Sequence, residues 1–349
     1  MGIISTLGRE YLAGRSLDEG IETAERLFHH GIDHYRHPIS STVDILGEEA
    51  VTESQVETNL QAYTQIIKGL GRLTREQEEK SKAYGIRAPF TVSVKLSAIS
   101  LSQRKNGQVE FDERVSLEQN VRSLMYTGTE ERIPITADME DHYWTHLTLT
   151  LARHFWNESL PLDIVLKSCL HQTLDDVDTF LSQNLPFDKA TTTVRSCRGI
   201  YREPPEVATT DPQEAKERLY ALVEKLFNGG YFVGIATHDA ELQRRIREEI
   251  INKQGIPKNR YEYQGLKGVY SFEDVILPEA LANRENVRLY LPVELKPGDG
   301  GPYMRRRVMM NREIALNYIN DRMGRMWRQM WGKMPQTAEP EDVSLQEAK

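Results

Sequence analysis

Cysteine is scarce in this chain of 349 residues, which contains only Cys169 and Cys197. Two thiols cannot form the disulfide framework that stabilises many small secreted domains, and they are typical of proteins from a reducing compartment. We therefore expect a cytoplasmic protein in which both cysteines serve as small hydrophobic residues.

Long hydrophobic runs are also lacking. No apolar stretch reaches the roughly 20 residues that a transmembrane helix requires, and the first residues do not show the basic and then apolar pattern of a signal peptide. The formal net charge is -8, and no long basic run with interleaved aromatic residues occurs, so we expect no nucleic-acid binding. The 39% share of hydrophobic residues still suffices for a buried core.

Motifs that define several common enzyme classes are missing as well. No G-x-G-x-x-G follows a first strand, which argues against a dinucleotide-binding Rossmann sheet. No G-x-S-x-G of serine hydrolases occurs, and the nine histidines are not arranged at metal-ligand spacing. We therefore expect no metal site.

What the chain does have is an alternation of short apolar or β-branched runs with segments of helical spacing. The runs cover residues 42–46, 90–96, 133–137, 163–170, 191–196, 232–236, 261–264 and 287–291. Segments with helical spacing follow several of them, for example residues 174–181, 212–227 and 240–251. Eight strands alternating with helices predict an α/β fold, a (β/α)8 TIM-type barrel, with an open doubly wound sheet as the alternative.

Three segments are predicted along the chain. Ser16 and Glu19 have the spacing of a capping box, which predicts a helix that ends near Phe28, and the polar stretch 31–40 is interpreted as a connector. Residues 1–40 thus form an N-terminal helical segment, residues 41–335 the barrel and residues 336–349 a mobile acidic tail. The Asn106-Gly107 pair marks an elaboration after the second strand.

Candidate site residues lie where the predicted strands end, because active sites of such barrels form at the C-terminal ends of the strands. These polar residues are Asp44, Glu48, Lys95, Ser97, Asp138, Glu140, Lys167, His171, Arg195, Arg198, Tyr201, Thr237, His238, Asp239, Gln264 and Tyr290. A lysine inside an apolar strand is costly unless it is paired, and Asp138 on the next strand is the expected partner of Lys95.

An arginine triplet, Arg305 to Arg307, follows Tyr303 shortly after the last predicted strand. Adjacent guanidinium groups repel one another, and each binds planar anions well. A bound carboxylate or phosphate is therefore expected in front of this triplet, whereas Arg305 is expected to face solvent.

Seven motifs occur in order along the chain. They are D-I-L-G-E at 44–48, V-K-L-S at 94–97, D-M-E-D at 138–141, R-S-C-R-G-I-Y-R-E-P at 195–204, A-T-H-D at 236–239, Y-E-Y-Q-G-L-K-G at 261–268, and L-Y-L-P at 289–292 followed by Tyr303, Arg306 and Arg307. Together they resemble the proline dehydrogenase family of flavoenzymes, and the similarity extends from about residue 17 to residue 318.

The resemblance implies a distorted (β/α)8 barrel that binds FAD and oxidises L-proline to Δ1-pyrroline-5-carboxylate by hydride transfer from C5 to flavin N5. The implied catalytic residues are Lys95, Asp138, Arg195, Tyr290, Arg306 and Arg307. The implied substrate-binding residues are Lys95, Tyr201, Leu266, Tyr290, Tyr303, Arg306 and Arg307. The implied flavin-binding residues are Asp138, Lys167, Arg195, Arg198, Gly199, Tyr201, Thr237, His238 and Gln264.

Specific roles follow from the same resemblance. The pair Arg306 and Arg307 is expected to clamp the substrate carboxylate together with Lys95. Arg195 is expected near flavin N5, and Glu48 is expected to pair with the first arginine of the clamp as a gate. The family also implies electron transfer to a quinone or another acceptor and peripheral contact with the inner face of a membrane.

Four positions depart from the family pattern. Met310 replaces a glutamate, Lys167 a glutamine, Ile200 an alanine and Arg198 a lysine. Met310 and Ile200 keep open a flavin dehydrogenase of another cyclic or secondary amino acid, and Lys167 and Arg198 keep open a flavin-free binding or regulatory protein. A Schiff-base lyase that uses a strand-end lysine (Lys95 or Lys167) is a further alternative.

Overall fold

The computed structural model describes residues 11–47, 49–105, 108–111, 116–181, 184–296, 298 and 300. The strands in this part of the chain are β1 (Ser40–Leu46), β2 (Phe90–Val94), β3 (Ser102–Lys105), β4 (Gln108–Phe111), β5 (Ile135–Ala137), β6 (Asp163–Lys167), β7 (Thr193–Cys197), β8 (Phe232–Ala236), β9 (Tyr261–Leu266) and β10 (Val287–Glu294).

Helices alternate with these strands. The α-helices are α1 (Leu17–Tyr35), α2 (Glu53–Glu76), α3 (Glu78–Ala83), α4 (Leu117–Glu131), α5 (His142–Asn157), α6 (Thr173–Leu181), α7 (Pro212–Asn228), α8 (Ala240–Ile246) and α9 (Leu277–Ala282). The 3₁₀ helices are Leu96–Ile99, Lys189–Thr191 and Lys258–Arg260. Two short π-helical segments, Arg247–Asn252 and Ser271–Ile276, lead out of α8 and into α9.

Eight of the strands close into a barrel in the order β1-β10-β9-β8-β7-β6-β5-β2. All neighbours within it are parallel, and β1 closes the ring by pairing with both β10 and β2. The predicted (β/α)8 TIM-type barrel is confirmed, and the doubly wound sheet is wrong because an open sheet would have two free edges. Strands β3 and β4 form a separate antiparallel pair on either side of the predicted elaboration at residues 106–107, which themselves lie outside the described residues.

The barrel strands consist of continuous β-branched and aliphatic runs because parallel strands in a barrel are buried on both faces. Val43 in β1, Val92 in β2 and Val233 in β8 are completely buried. Their side chains belong to one hydrophobic core that the surrounding helices cover.

Several predicted boundaries differ from the observed ones. The run at 90–96 ends as a strand at Val94, because Leu96–Ile99 turns into a 3₁₀ helix. The run at 163–170 ends at Lys167, whereas β10 continues to Glu294. These shifts matter because they place Lys95 and Lys167 at strand ends, where the barrel opens.

The first helix is longer than predicted. The Ser16 hydroxyl accepts from the Glu19 amide at 3.2 Å, as the capping pattern indicates, but α1 continues past Phe28 to Tyr35. The interpretation of residues 31–35 as connector was therefore wrong. Gly31 lets the helix continue against the following chain, because a Cβ there would lie 2.6 Å from the His37 carbonyl oxygen. The division of the chain into three segments stays a prediction.

Both cysteines contribute to packing. Cys169 is buried in a small cluster with Leu170 and Ala208, and Cys197 packs against the main core. Burial raises the pKa of the Cys169 thiol and raises that of Cys197 to about 11. Thiols in such surroundings stay protonated and are poor nucleophiles at neutral pH.

Candidate active site

Arg195 forms the centre of a polar cluster at the C-terminal end of the barrel. Its NH1 group donates to Asp138 Oδ1 at 3.1 Å, and the Tyr290 hydroxyl donates to Asp138 Oδ2 at 3.0 Å. The guanidinium carbon also lies 5.1 Å from the centre of the Tyr290 ring, a cation–π distance. The structure thus brings together three of the predicted catalytic residues, from β7, from the end of β5 and from β10.

Lys95 is also part of this region, but its predicted partner is wrong. Its Nζ atom forms an ion pair with Asp44 of β1 rather than with Asp138. The reason is the barrel register, because Asp44 lies beside Ser93 of β2, two residues before Lys95. Asp138 is occupied instead by Arg195 and Tyr290.

The Asp44 carboxyl is held in a deeply buried position. Burial raises its pKa above the ordinary value; the Lys95 charge opposes this rise and the nearby Asp138 carboxylate adds to it. The pairing with Lys95 is therefore what makes a carboxylate tolerable at this depth, since an unpaired buried charge is very costly.

Lys167 is buried at the end of β6 with its charge neutralised by Glu203. Its Nζ atom lies 2.6 Å from Glu203 Oε1 and donates to the Glu140 carbonyl oxygen at 2.6 Å. Both charged side chains are only 2% exposed. The same glutamate binds His142 Nδ1 through its other oxygen at 2.6 Å, so Glu203 joins β6 to the start of α5.

Glu203 itself is held as an anion. Burial alone would raise its pKa, but the hydrogen bond and charge of Lys167, together with His142, outweigh burial and lower the pKa below the ordinary value. Glu140 differs, because burial raises its pKa although Ser97 donates to it from both its amide (3.0 Å) and its hydroxyl (2.6 Å).

Another buried ion pair lies deeper in the barrel. Arg288 binds Glu262 with two nitrogen atoms, at 2.6 Å from Nε and 3.0 Å from NH2. Glu262 Oε1 also accepts from Gln264 Nε2 at 2.7 Å, and Gln264 Oε1 accepts from Arg195 Nε at 2.7 Å. These contacts connect the deep pair to the cluster around Arg195.

The remaining predicted residues line the same end of the barrel. Tyr201 lies beneath Lys167, with the ammonium 5.3 Å from its ring centre, and Leu266 packs in a small apolar cluster with Tyr290 at its edge. His238 Nε2 accepts from the Leu266 amide at 3.0 Å, and the Thr237 hydroxyl accepts from the Asp239 amide at 3.2 Å.

Arg198 and Gly199 lie in the loop directly after β7. The Arg198 carbonyl accepts from the Cys169 amide at 3.1 Å, which ties this loop to the end of β6. Gly199 has a φ of +103°, a conformation that favours glycine. A Cβ at this position would also lie 2.8 Å from Cys169 Sγ.

Strand order divides these residues into two groups. All residues expected at a flavin except Asp138 lie on or directly after the four adjacent strands β6 to β9. They are Lys167, Arg195, Arg198, Gly199, Tyr201, Thr237, His238 and Gln264. Lys95, Asp138 and Tyr290 lie on or directly after β2, β5 and β10, on the other half of the ring. The contact between Arg195 and Asp138 joins the two halves.

Several predicted residues fall outside the described part of the chain. They are Glu48, Tyr303, Arg305, Arg306, Arg307 and Met310. The roles of Glu48 as gate, of Tyr303 as ring contact and of Arg306 and Arg307 as carboxylate clamp stay predictions.

Three charged residues of this region were missed at the sequence level. Glu203 lies near the end of the R-S-C-R-G-I-Y-R-E-P motif, and Glu262 lies in Y-E-Y-Q. A carboxylate in each motif was the sequence feature that could have identified them. Arg288 had a weaker signal, as a lone cation inside the apolar run of β10. Among the described residues, no group of three or more His, Cys, Asp or Glu side chains could hold a metal ion.

Comparisons with known proteins identify a family for this chain. The family model for proline dehydrogenase matches residues 29–317. Proline dehydrogenase 2 of Bacillus subtilis (strain 168) is 25% identical over 281 residues, which cover 80% of this chain and 80% of the relative. Proline dehydrogenase 1 of Bacillus subtilis subsp. natto is 22% identical over 263 residues, covering 75% of this chain and 74% of the relative.

Solved structures share the fold. Proline utilization A from Bdellovibrio bacteriovorus, inactivated by N-propargylglycine, superposes with a TM-score of 0.72 at 21% identity, over 86% of this chain and 32% of that chain. The present chain thus spans about a third of that protein. Taken with the family match over residues 29–317, the chain belongs to the proline dehydrogenase family and is an oxidoreductase.

Proposed function

We propose that the protein oxidises L-proline to Δ1-pyrroline-5-carboxylate and that FAD accepts the hydride. The observation that best supports this is the contact between Arg195 and Asp138, which joins the two halves of the barrel mouth. One half carries the residues that resemble flavin ligands, apart from Asp138. The other half carries Asp138 together with Lys95 and Tyr290, which resemble substrate ligands. A reaction between a flavin and a substrate requires this kind of junction, because the reacting atoms must lie in contact.

The residues of the β6–β9 half suit a flavin. The flavin ring carries hydrogen-bond acceptors on its pyrimidine edge and gains negative charge on reduction. Nearby hydrogen-bond donors and cations therefore stabilise the bound flavin and its reduced form. Arg195, Thr237, His238 and Gln264 offer such groups at adjacent strand ends. FAD, when bound, supplies a two-electron acceptor for hydride. Lys167 is already neutralised by Glu203, so we assign to Arg195 the stabilisation of negative charge.

We expect the substrate to lie against the other half of the mouth and against Leu266 at the end of β9. Lys95 shares its charge with Asp44, so the clamp on the substrate carboxylate depends mainly on Arg306 and Arg307. Tyr290 and Leu266 form an apolar wall for the ring, and Tyr303 completes the ring contact, with Glu48 as the gate. Cations around the substrate also favour the neutral form of its amine, which is required before hydride can leave from C5.

The Schiff-base alternative is disfavoured by the same ion pairs. A lysine that attacks a carbonyl must present a neutral amine. Lys95 and Lys167 instead each form an ion pair with a carboxylate, and Lys167 also donates to a carbonyl oxygen. Borohydride trapping of a carbonyl ligand on either lysine would contradict this conclusion.

A second candidate substrate class is another cyclic or secondary amino acid. Ile200, a larger residue than the alanine of the family pattern, is 38% exposed in the loop after β7. A side chain of this size reshapes the wall of the site and changes which ring fits. Steady-state assays with proline, hydroxyproline and pipecolate distinguish the candidates, and inactivity on all three would refute proline oxidation.

The carboxylate clamp has an internal control in the arginine triplet. Arg306→Met or Arg307→Met should raise KM for proline by about tenfold or more, because each loses a charge-assisted hydrogen bond worth about 1.5–3 kcal/mol. Arg305→Met, the neighbour assigned to solvent, should leave KM close to wild type. The visible absorption spectrum of each purified variant reports whether flavin is retained, and equal KM values in all four proteins would refute the clamp.

We also propose a quinone as electron acceptor and peripheral contact with a membrane. No helix of the described residues is long and apolar enough to cross a bilayer. Proline-dependent reduction of a short-chain quinone, measured with and without vesicles of anionic lipid, tests both points. Absence of quinone reduction by an enzyme that still reduces an artificial dye would reject the acceptor.

A further inference from the structure

The ion pair between Glu262 and Arg288 is the starting point of a chain of contacts that ends at the active site. Arg288 is fixed by the barrel wall, since its NH1 donates to the Ser41 carbonyl at 2.9 Å and its NH2 to the Ala88 carbonyl at 2.6 Å. The same guanidinium holds Glu262 through two hydrogen bonds. Both side chains are buried, so the Glu262 carboxylate has a single defined orientation.

Glu262 in turn decides the orientation of the Gln264 amide. The two residues are two positions apart on β9 and therefore point to the same face of the strand. An ionised carboxylate can only accept a hydrogen bond, so the group that Gln264 turns towards Glu262 must be its NH2, at 2.7 Å. The carbonyl oxygen of the amide must then point the other way.

That carbonyl oxygen is the acceptor for Arg195. A guanidinium has donors only, and Arg195 Nε donates to Gln264 Oε1 at 2.7 Å. A reversed amide would place N–H groups against Arg195 and an oxygen against Glu262, so both contacts would fail. With Asp138 binding NH1, the two acceptors, one on β9 and one directly after β5, fix the plane of the Arg195 guanidinium.

The backbone makes room for this arrangement at Gly234. Gly234 lies beside Arg195 in the β7–β8 register, and a Cβ on it would lie 2.5 Å from Gln264 Nε2. Any larger residue would therefore displace the amide that connects Glu262 to Arg195.

We infer that Glu262, held by Arg288, is a positioning residue that fixes Arg195 through the Gln264 amide. Glu262 does not touch Arg195; it determines which end of Gln264 faces it. The expected consequence for a bound flavin rests on the function proposed above, whereas the positioning of Arg195 does not.

Two variants test the inference by different routes. Glu262→Gln removes the acceptor-only group and leaves Gln264 free to reverse. Gly234→Ala displaces the amide without changing any charge. The matched control is Glu285→Gln, since Glu285 is also a buried glutamate bound to an arginine, Arg247, but belongs to a separate cluster.

The first measurement does not depend on flavin. The Nε–H resonance of Arg195, assigned by its loss in Arg195→Lys, is followed by ¹⁵N NMR of the purified protein. Hydrogen exchange of this group should become about tenfold faster in both test variants, the factor that corresponds to about 1.4 kcal/mol for one hydrogen bond. Glu285→Gln should leave the rate unchanged.

The second measurement is the midpoint potential of the flavin in the loaded protein. Both test variants should lower it relative to wild type, because a less fixed cation stabilises the reduced flavin less. Faster exchange in a protein that binds no flavin would support the positioning and refute the proposed function. Unchanged exchange in both test variants would overturn the positioning. If Glu262→Gln does not fold, Gly234→Ala alone decides the question. If Glu285→Gln accelerates exchange of the Arg195 Nε–H group as much as the test variants do, the effect reflects a general loss of rigidity in the protein, and the inference is overturned.

Discussion

At the scale of single residues, the barrel mouth is defined by cations that are each bound to a carboxylate. Lys95 binds Asp44, Lys167 binds Glu203 and Arg195 binds Asp138. These pairs differ in burial, because Asp138 is partly exposed whereas Glu203 and Lys167 are almost inaccessible. The Arg195 side chain, which is 9% exposed, is thus less enclosed than that of Lys167, which is 2% exposed and bound to Glu203. The lysine found where the family pattern has a glutamine therefore brings its own counter-ion.

The Lys167–Glu203 pair yields a prediction about stability. Glu203→Gln should cost about 3–5 kcal/mol, because it leaves a buried ammonium without a counter-ion. The double variant Lys167→Gln and Glu203→Gln should recover much of this loss, since neither charge then remains buried. Urea unfolding of the wild type, both single variants and the double variant gives the coupling energy. Additive losses would show that the two side chains do not act as a pair.

At the scale of secondary structure elements, β9 is the strand that connects packing to the site. Its residue Gln264 binds Arg195 and is itself held by Glu262, and Leu266 lies in the apolar cluster beside Tyr290. Gly265 lies between them, against the face of Phe272 from the π-helical segment that follows. The strand is thus held between a polar interior and a tightly packed exterior.

This packing predicts that Gly265→Ala is destabilising. An added Cβ would overlap the Phe272 ring, which is completely buried and has no room to move aside. Overpacking of this kind typically costs about 1–3 kcal/mol. Gly47→Ala is the matched control, because a Cβ at Gly47 would have nothing within 4 Å. Thermal unfolding of the two variants should show a clear loss only for Gly265→Ala, and equal losses would contradict the packing argument.

At the scale of the whole molecule, barrel closure determines which charges meet, and this limits what the sequence could predict. The eight strands were predictable because each is a short β-branched or aliphatic run, and the strand ends placed Arg195, Asp138 and Tyr290 among the candidates at the barrel mouth. The partner of Lys95 was not predictable, because it depends on the register of β1 against β2. The extension of α1 was missed for a similar reason, since Gly31 contacts the His37 carbonyl only in the folded chain.

Closure also buries a carboxylate, Asp163, between β6 and β7. Its Oδ1 atom accepts from the Thr193 amide at 2.6 Å, and burial raises its pKa to about 6 although the charge of Arg87 opposes this rise. An unfolded aspartate has a pKa of about 3.9. The folded protein therefore binds this proton more tightly than the unfolded chain, so the carboxyl favours folding most below about pH 4 and loses this contribution as pH rises through about 6.

Asp163→Asn should remove this dependence. An asparagine can still accept from the Thr193 amide through its oxygen, but it does not ionise. The stability of the variant relative to wild type should therefore be higher at pH 7.5 than at pH 4.5, as measured by urea unfolding at both pH values. Asp178→Asn, at a carboxylate that is 59% exposed on α6, measures the effect of the same substitution outside the barrel. The free energies of unfolding of Asp163→Asn and wild type could instead differ by the same amount at both pH values. That result would show that the carboxyl does not take up a proton on folding, and it would contradict the buried position of Asp163 between the two strands.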